Sequence, residues 1–142
     1  MIVLDTDHVS ILQHEESPAA TALLSRLESV PLDDVATTAV TLEEQARSWL
    51  GLIGRYSDVR QQVPYYDRLV AMFDFFANWR VLRFGERAAV EFQRLRSQRI
   101  RIATLDLKIA SIALVHGATL VSRNLGDFGM IPGLRVENWS QK

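Results

Sequence analysis

Short runs of apolar and β-branched residues alternate along this chain with longer segments of helical periodicity. Ile2–Leu4 is an apolar run that predicts a buried strand at the start of the chain. Strands that alternate with helices predict a parallel sheet with helices on both faces. We therefore predict an α/β fold with a short, mostly parallel sheet, as one domain over residues 1–142. The predicted strands are 2–4, 35–40, 81–82, 118–121 and 134–136.

The segments between these strands carry helix signals. Thr41 looks like an N-cap, because Glu44 follows three residues later and would complete a capping box. Pro64 predicts an interruption in a helical pattern over 58–77, and Gly117 predicts a helix end. Other helices are expected after Asp5, from Ser17-Pro18, over 86–98 and over 106–116, with a loop over 122–133.

Composition narrows the possible chemistry. The chain has no cysteine, which excludes disulfides, thiol catalysis and Cys-ligated zinc. The formal net charge of -1 predicts neither a nucleic-acid partner nor a membrane surface, so binding of nucleic acid would require a local basic patch. No run approaches the ~20 apolar residues of a membrane span, and no signal peptide is recognisable. We expect a cytoplasmic protein.

Four acids follow predicted strands or open predicted helices. Asp5 follows the first strand, Glu44 the second, Asp106 opens a helix and Asp127 lies after the fourth strand. Because sites in open α/β sheets form at the carboxyl ends of strands, these acids are expected to converge. Each also has a structural interpretation, since Asp5 and Asp106 suit N-caps, Glu44 fits a capping box, and Asp127 lies in a Gly-containing loop where Asp is common. Glu43 competes with Glu44 as the acid that faces the site.

A cluster of carboxylates favours a bound cation. Two carboxylates about 4 Å apart repel by roughly 4 kcal/mol at an effective dielectric of about 20. Mg²⁺ and Mn²⁺ prefer oxygen ligands, and a metal held in this way activates water and stabilises charge on a phosphoryl oxygen. The sequence therefore favours a metal-dependent hydrolase of phosphodiesters.

Other polar residues could support this site. Thr6, Ser122 and Asn124 lie beside the acids, where they could orient a carboxylate or satisfy loop backbone. A basic stretch precedes Asp106, and its arginines could form a phosphate-binding rim or a cationic helix end. The arginines considered for RNA binding are Arg99, Arg101 and Arg123, with Arg94 and Arg96 in the same stretch.

Five segments in order resemble the PIN-domain ribonucleases, specifically the VapC-type toxins of bacterial toxin–antitoxin pairs. They span the whole chain at plausible separations. The segments are Ile-Val-Leu-Asp-Thr-Asp at 2–7, Thr-Leu-Glu-Glu at 41–44, Ile-Ala-Thr-Leu-Asp-Leu-Lys-Ile-Ala at 102–110, Ser-Arg-Asn-Leu-Gly-Asp-Phe at 122–128 and Ile-Pro-Gly-Leu-Arg-Val-Glu-Asn-Trp at 131–139.

The resemblance implies a PIN fold and Mg²⁺- or Mn²⁺-dependent cleavage of RNA by a metal-activated water. It also implies a cognate antitoxin and homodimerisation. Two positions depart from the pattern: Ala103 stands where glycine is frequent, and Gln45 where leucine is common. The resemblance implies metal-ligand roles for Asp5, Glu44, Asp106 and Asp127. It implies supporting roles for the polar residues Thr6, Ser122 and Asn124.

Two alternatives compete with this interpretation. A haloacid-dehalogenase-type phosphatase would use Asp5 as nucleophile and Asp7 as general acid, but the lysine and later acidic pair that it requires are poorly placed. A PIN-like module that binds RNA or protein without cutting is the other alternative. It gives no reason to keep a cluster of mutually repelling acids.

Overall fold

The computed structural model describes residues 1–14 and 16–141 and contains five parallel strands in one sheet. The spatial order is β3-β2-β1-β4-β5, so β1 lies at the centre between β2 and β4. All four strand pairings are parallel, which confirms the α/β prediction and extends it from mostly to entirely parallel. The strands are β1 (Ile2–Leu4), β2 (Val35–Thr38), β3 (Val81–Leu82), β4 (Thr119–Val121) and β5 (Arg135–Glu137).

Helices connect these strands and cover both faces of the sheet. The longest pair, α3 and α4, pack against each other, as do α5 and α6. None of the helices in the described part of the chain has the length and apolar character needed to cross a membrane. The helices are α1 (Thr6–Gln13), α2 (Pro18–Leu27), α3 (Ala39–Arg55), α4 (Val59–Phe76), α5 (Glu86–Ser97), α6 (Thr104–Val115) and α7 (Leu125–Phe128).

Neighbouring residues of the central strands enter two separate cores. Val3 packs with α5 and α6 residues such as Leu95 and Ile109, whereas Leu4 packs with Leu23 of α2 and Phe76 of α4. Successive side chains of a strand point to opposite faces, so a strand with both faces covered must be apolar throughout. This explains why Ile2–Leu4 reads as a continuous apolar run rather than an alternating one.

Several predicted element boundaries were wrong. β2 ends at Thr38, whose side chain accepts from the Thr41 N–H, so Thr38 rather than Thr41 is the N-cap of α3. The β-branched run had extended the predicted strand to residue 40, and the capping box with Glu44 does not form. The last strand is Arg135–Glu137, and the predicted loop contains the short helix α7.

Pro64 does not interrupt α4. The helix runs without a break over Val59–Phe76. A proline near the start of a helix removes one backbone hydrogen bond, here to the Arg60 carbonyl, and the rest of α4 packs Met72 and Phe76 into the core. Gly117 does end α6 as predicted, with a φ of 60° that glycine adopts without strain.

Candidate active site

The acidic cluster lies at the carboxyl ends of the central strands. Asp5 follows β1 directly, Glu44 lies in the second turn of α3 after β2, and α7 follows β4. From the central strand β1 the chain goes next to β2 on one side and later returns to β4 on the other, so the strand order reverses beside β1. Open α/β sheets bind ligands at such a reversal, at the carboxyl ends of the strands. Asp106 is brought to the same place from the first turn of α6.

Asp5 is the most buried acid of the site, with 6% of its surface exposed. Its Oδ1 accepts from the Thr6 N–H at 2.8 Å, so it caps α1, and its Oδ2 accepts from the Ser122 hydroxyl at 2.7 Å. Burial and the nearby charges of Asp7 and Asp106 raise the pKa of Asp5 to about 7, although the two hydrogen bonds act to lower it. Asp5 therefore caps α1 and also lies among the acids that follow the central strands.

Asp5, Glu44 and Asp106 come together as one group. Each offers a carboxylate oxygen within 4.8 Å of the others. Burial raises the pKa of both Glu44 and Asp106, and the charges of neighbouring acids add to each shift. Three converging oxygens that resist ionisation fit a hard divalent cation such as Mg²⁺ or Mn²⁺, because such an ion would offset their repulsion.

A chain of threonine hydroxyls orients Glu44. The Thr6 hydroxyl donates to Glu44 Oε1 at 3.0 Å and lies 3.1 Å from the Thr41 hydroxyl, which is itself 3.4 Å from that of Thr38. Glu43, its neighbour, pairs with Arg47 at 2.7 Å on the helix surface. Glu44 is therefore the acid of α3 that faces the site.

Asp127 lies beside this group but outside it. Its Oδ2 accepts from the Asn124 side chain at 3.0 Å, as the expected supporting role of Asn124 requires. The charge of Asp127 contributes to the raised pKa of Asp106. Asp106 is not an N-cap, because Ala103 occupies that position, and among the described residues its carboxylate has no hydrogen-bond donor. Asp106 is thus free to face a ligand.

Asp7 belongs to the site, although the sequence suggested it only for a phosphatase. Its Oδ2 accepts from the Arg123 N–H at 2.9 Å and lies 3.4 Å from the Ser122 Oγ. Burial opposes ionisation of Asp7, but hydrogen bonds from His8 and the Arg123 N–H outweigh it and lower the pKa of Asp7. Asp7 is therefore a charged neighbour of the acidic group that carries its own donors.

Comparison with known proteins identifies the fold family. The model of the PIN domain matches residues 2–129 of the chain. The chain belongs to the PIN-domain family. A 66-residue stretch is 39% identical to Ribonuclease VapC1 of Rickettsia felis, covering 44% of this chain and 49% of that relative. The chain thus spans about half the length of that curated relative.

Solved structures share the fold over nearly the whole chain. VapBC-1 from nontypeable Haemophilus influenzae has a TM-score of 0.74 at 21% identity, covering 99% of this chain and 100% of that one. VapBC-5 from Mycobacterium tuberculosis, of the VapBC family of toxin–antitoxin systems, has a TM-score of 0.61 at 22% identity and covers 96% of each chain. With PIN-domain membership shown, the phosphatase alternative loses its basis.

The two departures from the PIN pattern are accommodated locally. Ala103 has φ -55° and ψ 143°, an ordinary extended conformation that requires no glycine. Gln45 is buried, and its side-chain amide exchanges two hydrogen bonds, of 2.8 and 2.9 Å, with that of Gln13. Gln45 therefore joins α1 to α3 through a paired polar contact.

The candidate RNA-binding arginines have no partner in the acidic cluster. Arg99 and Arg101 are exposed between α5 and α6, and Arg99 has a positive φ of 59°. Arg123 is exposed as well, and its Nε donates to the Ser140 hydroxyl at 3.2 Å. These side chains are free to contact a polyanion, but the structure brings none of them into the group of Asp5.

Proposed function

We propose that this PIN-domain protein is a metal-dependent endoribonuclease. The observation that carries the proposal is the convergence of Asp5, Glu44 and Asp106 at the carboxyl ends of the central strands, within 4.8 Å of one another. The stretch similar to Ribonuclease VapC1 supports RNA as the substrate class. The alternative, a PIN-like module without activity, leaves this costly acidic group without a purpose.

Mg²⁺ or Mn²⁺ is the cofactor that these residues would hold. Asp5, Glu44 and Asp106 would supply its ligands, and Asp127 would complete the acidic wall on the side of Asp106. When bound, such an ion lowers the pKa of a water molecule and stabilises negative charge on a phosphoryl oxygen. The raised pKa values of the three acids favour their protonated forms, and a cation binds only the ionised carboxylates. Binding of a cation would therefore displace protons from these acids.

The protein's own groups then act by positioning. The Ser122 hydroxyl fixes one oxygen of Asp5 and the Thr6 hydroxyl fixes one oxygen of Glu44, which leaves the other Glu44 oxygen free to turn toward a ligand. Arg99, Arg101 and Arg123 would hold the RNA backbone through contacts with phosphates. Sequence-independent contacts of this kind orient a strand over the acids without selecting its bases.

Product analysis tests the proposed reaction. The purified protein is incubated with a 5′-labelled RNA and Mn²⁺ or Mg²⁺, and the new ends are mapped. Hydrolysis by a metal-activated water predicts 5′-phosphate and 3′-hydroxyl ends, with no cleavage in EDTA. Ends with a 2′,3′-cyclic phosphate would contradict the proposal, because they arise from attack by the ribose hydroxyl. Asp5→Asn is expected to abolish cleavage.

We also propose that the protein is the toxin of a type II toxin–antitoxin pair. Its fold matches structures of VapBC proteins, one of which is described as a member of a toxin–antitoxin family. Expression of the chain should arrest growth, and co-expression of a small adjacent gene product should restore it. Growth arrest that persists in Asp5→Asn would contradict a toxicity based on RNA cleavage.

A homodimer is the proposed assembly, with α4 as the contact. Five apolar side chains on α4, each more than half exposed, recur at alternating spacings of four and three residues, the spacing of a coiled-coil seam. An antiparallel pairing of two copies about a two-fold axis near Tyr66 would place Arg60 of one copy near Asp74 of the other, twice. The five residues are Val59, Val63, Tyr66, Val70 and Phe73.

Light scattering coupled to gel filtration tests this dimer. Val70→Glu should convert a dimer to a monomer, because it places like charges on the seam in both copies. Leu32→Glu is the matched control, since Leu32 is 90% exposed on a different surface and its change should leave the mass unaltered. A monomeric wild-type protein, or a dimer that survives Val70→Glu, would contradict the proposal.

A further inference from the structure

His8 is a buried titratable residue to which the proposed reaction gives no role. It has no exposed surface, whereas His14 and His116 are exposed. Its ring lies between the segment after β5 and the acids after β1, and both of its nitrogens have a partner. A histidine held at both nitrogens in the core can transmit position from one segment to the other.

The partners of His8 determine its tautomer. The backbone N–H of Trp139 lies 3.1 Å from Nε2 and can only donate, so Nε2 must present a lone pair. The remaining proton of the neutral ring is then on Nδ1, which lies 2.7 Å from Asp7 Oδ1 and donates to it. The ring therefore accepts from the C-terminal segment and donates to Asp7.

Asp7 passes this contact to the loop after β4. Its second oxygen accepts from the Arg123 N–H at 2.9 Å. The neighbouring Ser122 donates to Asp5 at 2.7 Å, and the side chain of Asn124 donates to Asp127 at 3.0 Å. Residues 122–127 are thus held between Asp7 and the acidic group.

We propose that His8, as the neutral Nδ1–H tautomer, is a positioning residue that joins the Trp139 backbone to Asp7 and so fixes the loop that presents Ser122 to Asp5. Its effect on catalysis depends on the proposed ribonuclease function, but its effect on the loop does not. Groups behind metal ligands commonly change metal affinity or activity by about 10- to 100-fold when removed.

Two substitutions separate the two contacts of the ring. His8→Asn retains an amide N–H near the Nδ1 position and loses the acceptor for Trp139. His8→Gln can place an amide oxygen near the Nε2 position for Trp139 and loses the donor to Asp7. Because only the second change releases Asp7, the two variants should differ at the acidic site although both shorten or reshape the same buried side chain.

The readouts are amide hydrogen exchange and calorimetric titration with Mn²⁺ in the absence of RNA. In His8→Gln, we expect the Arg123 amide to lose protection and Mn²⁺ affinity to fall about 10-fold. In His8→Asn, we expect the Trp139 amide to lose protection while Mn²⁺ affinity stays close to that of the wild type. If the wild type binds Mn²⁺, equal affinity in all three proteins, or equal losses in both variants, would overturn the proposal.

Nitrogen-15 spectra of the His8 ring in the wild-type protein provide a test that needs no variant. A protonated Nδ1 and an unprotonated Nε2 are expected, and the reverse tautomer would overturn the proposal even if neither variant folds. A wild-type protein that binds Mn²⁺ but cleaves no RNA would refute the proposed function and leave these readouts intact. If the wild type binds no Mn²⁺, amide exchange and the ring spectrum still decide the role of His8.

Discussion

The two sides of Asp5 position their acids by different means. On the α3 side, β2 runs into α3 without a loop, and Glu44 projects from a long helix into the acidic group. On the loop side, residues 122–127 follow β4 and are held by hydrogen bonds to Asp5 and Asp7. Glu44 lies in the close group, whereas Asp127, on the short helix α7, does not. The long helix α3 therefore places its acid in the close group, and the segment after β4 places its acid one step behind.

Glu44→Gln tests the α3 side and should have the largest effect of the changes that compare the two sides. Removing one charge about 4 Å from a cation at an effective dielectric of about 20 loses roughly 4 kcal/mol, or about 10³-fold in cleavage rate. Glu43→Gln is the matched control, because Glu43 pairs with Arg47 on the helix surface and its rate should barely change. Equal losses in the two variants, measured with the same RNA, would contradict the assignment of Glu44.

The metal-free protein should lose stability as pH rises. Burial raises the pKa of Asp5 from 3.8 to about 7, so between these values the folded state binds a proton that the unfolded state has released. The shift corresponds to at most about 4 kcal/mol, lost as pH rises through this window. Thermal denaturation in EDTA should therefore give a lower melting temperature near pH 8 than near pH 5.

Two controls accompany this measurement. Asp5→Asn should flatten the dependence on pH, because the amide does not titrate, and Mn²⁺ should restore stability to the wild type near pH 8. Asp7 does not offset the trend, because its lowered pKa keeps it ionised throughout the window. A melting temperature that rises with pH in EDTA would contradict the raised pKa of the buried Asp5.

Much of the fold was predictable because the three central strands are buried on both faces. Apolar runs such as Ile2–Leu4 mark parallel strands directly, and the acid that follows marks the edge of the sheet where sites form. The start of α3 was not predictable from the same signals, since the residues of β2 and the first turn of α3 are both rich in threonine and valine. The choice between Glu43 and Glu44 depends on that boundary, because the start of a helix sets which side chains face inward.

The loop side was harder to predict. Asp7 and His8 contact residues more than one hundred positions later in the chain, so no local spacing indicates their role. A single histidine with no second histidine at a regular spacing does not indicate a functional site from sequence alone. The contacts of Ser122 and Asn124 with the acids were predictable because each residue lies beside a predicted acid or strand end.

Gln45→Leu tests how firmly the α3 side is held to α1. The substitution removes both hydrogen bonds between the two side chains and leaves the Gln13 amide without a partner on α3. We expect the free energy of unfolding, measured by urea titration, to fall by about 1–3 kcal/mol. The double variant Gln13→Leu/Gln45→Leu should recover most of this loss, because neither amide remains unpaired. Full additivity of the two single changes would show that the pair is not coupled.

Asp127→Asn tests the loop side and should have the smallest effect. The residue lies outside the close group and influences it through Asp106, so we expect a loss of about 10-fold in cleavage rate, as for groups behind metal ligands. The rate is measured beside that of Glu44→Gln with one RNA. A loss as large as that of Glu44→Gln would place Asp127 among the ligands and remove the difference between the two sides.

Anomalous diffraction from crystals grown with Mn²⁺ tests the central claim most directly. The acidic group of Asp5, Glu44 and Asp106 predicts a manganese peak bounded by these three carboxylates. Crystals of the Asp5→Asn variant grown under the same conditions should show a weak peak or none. A strong peak elsewhere on the chain, with no density between the three acids, would contradict the proposal that this group holds the ion for cleavage.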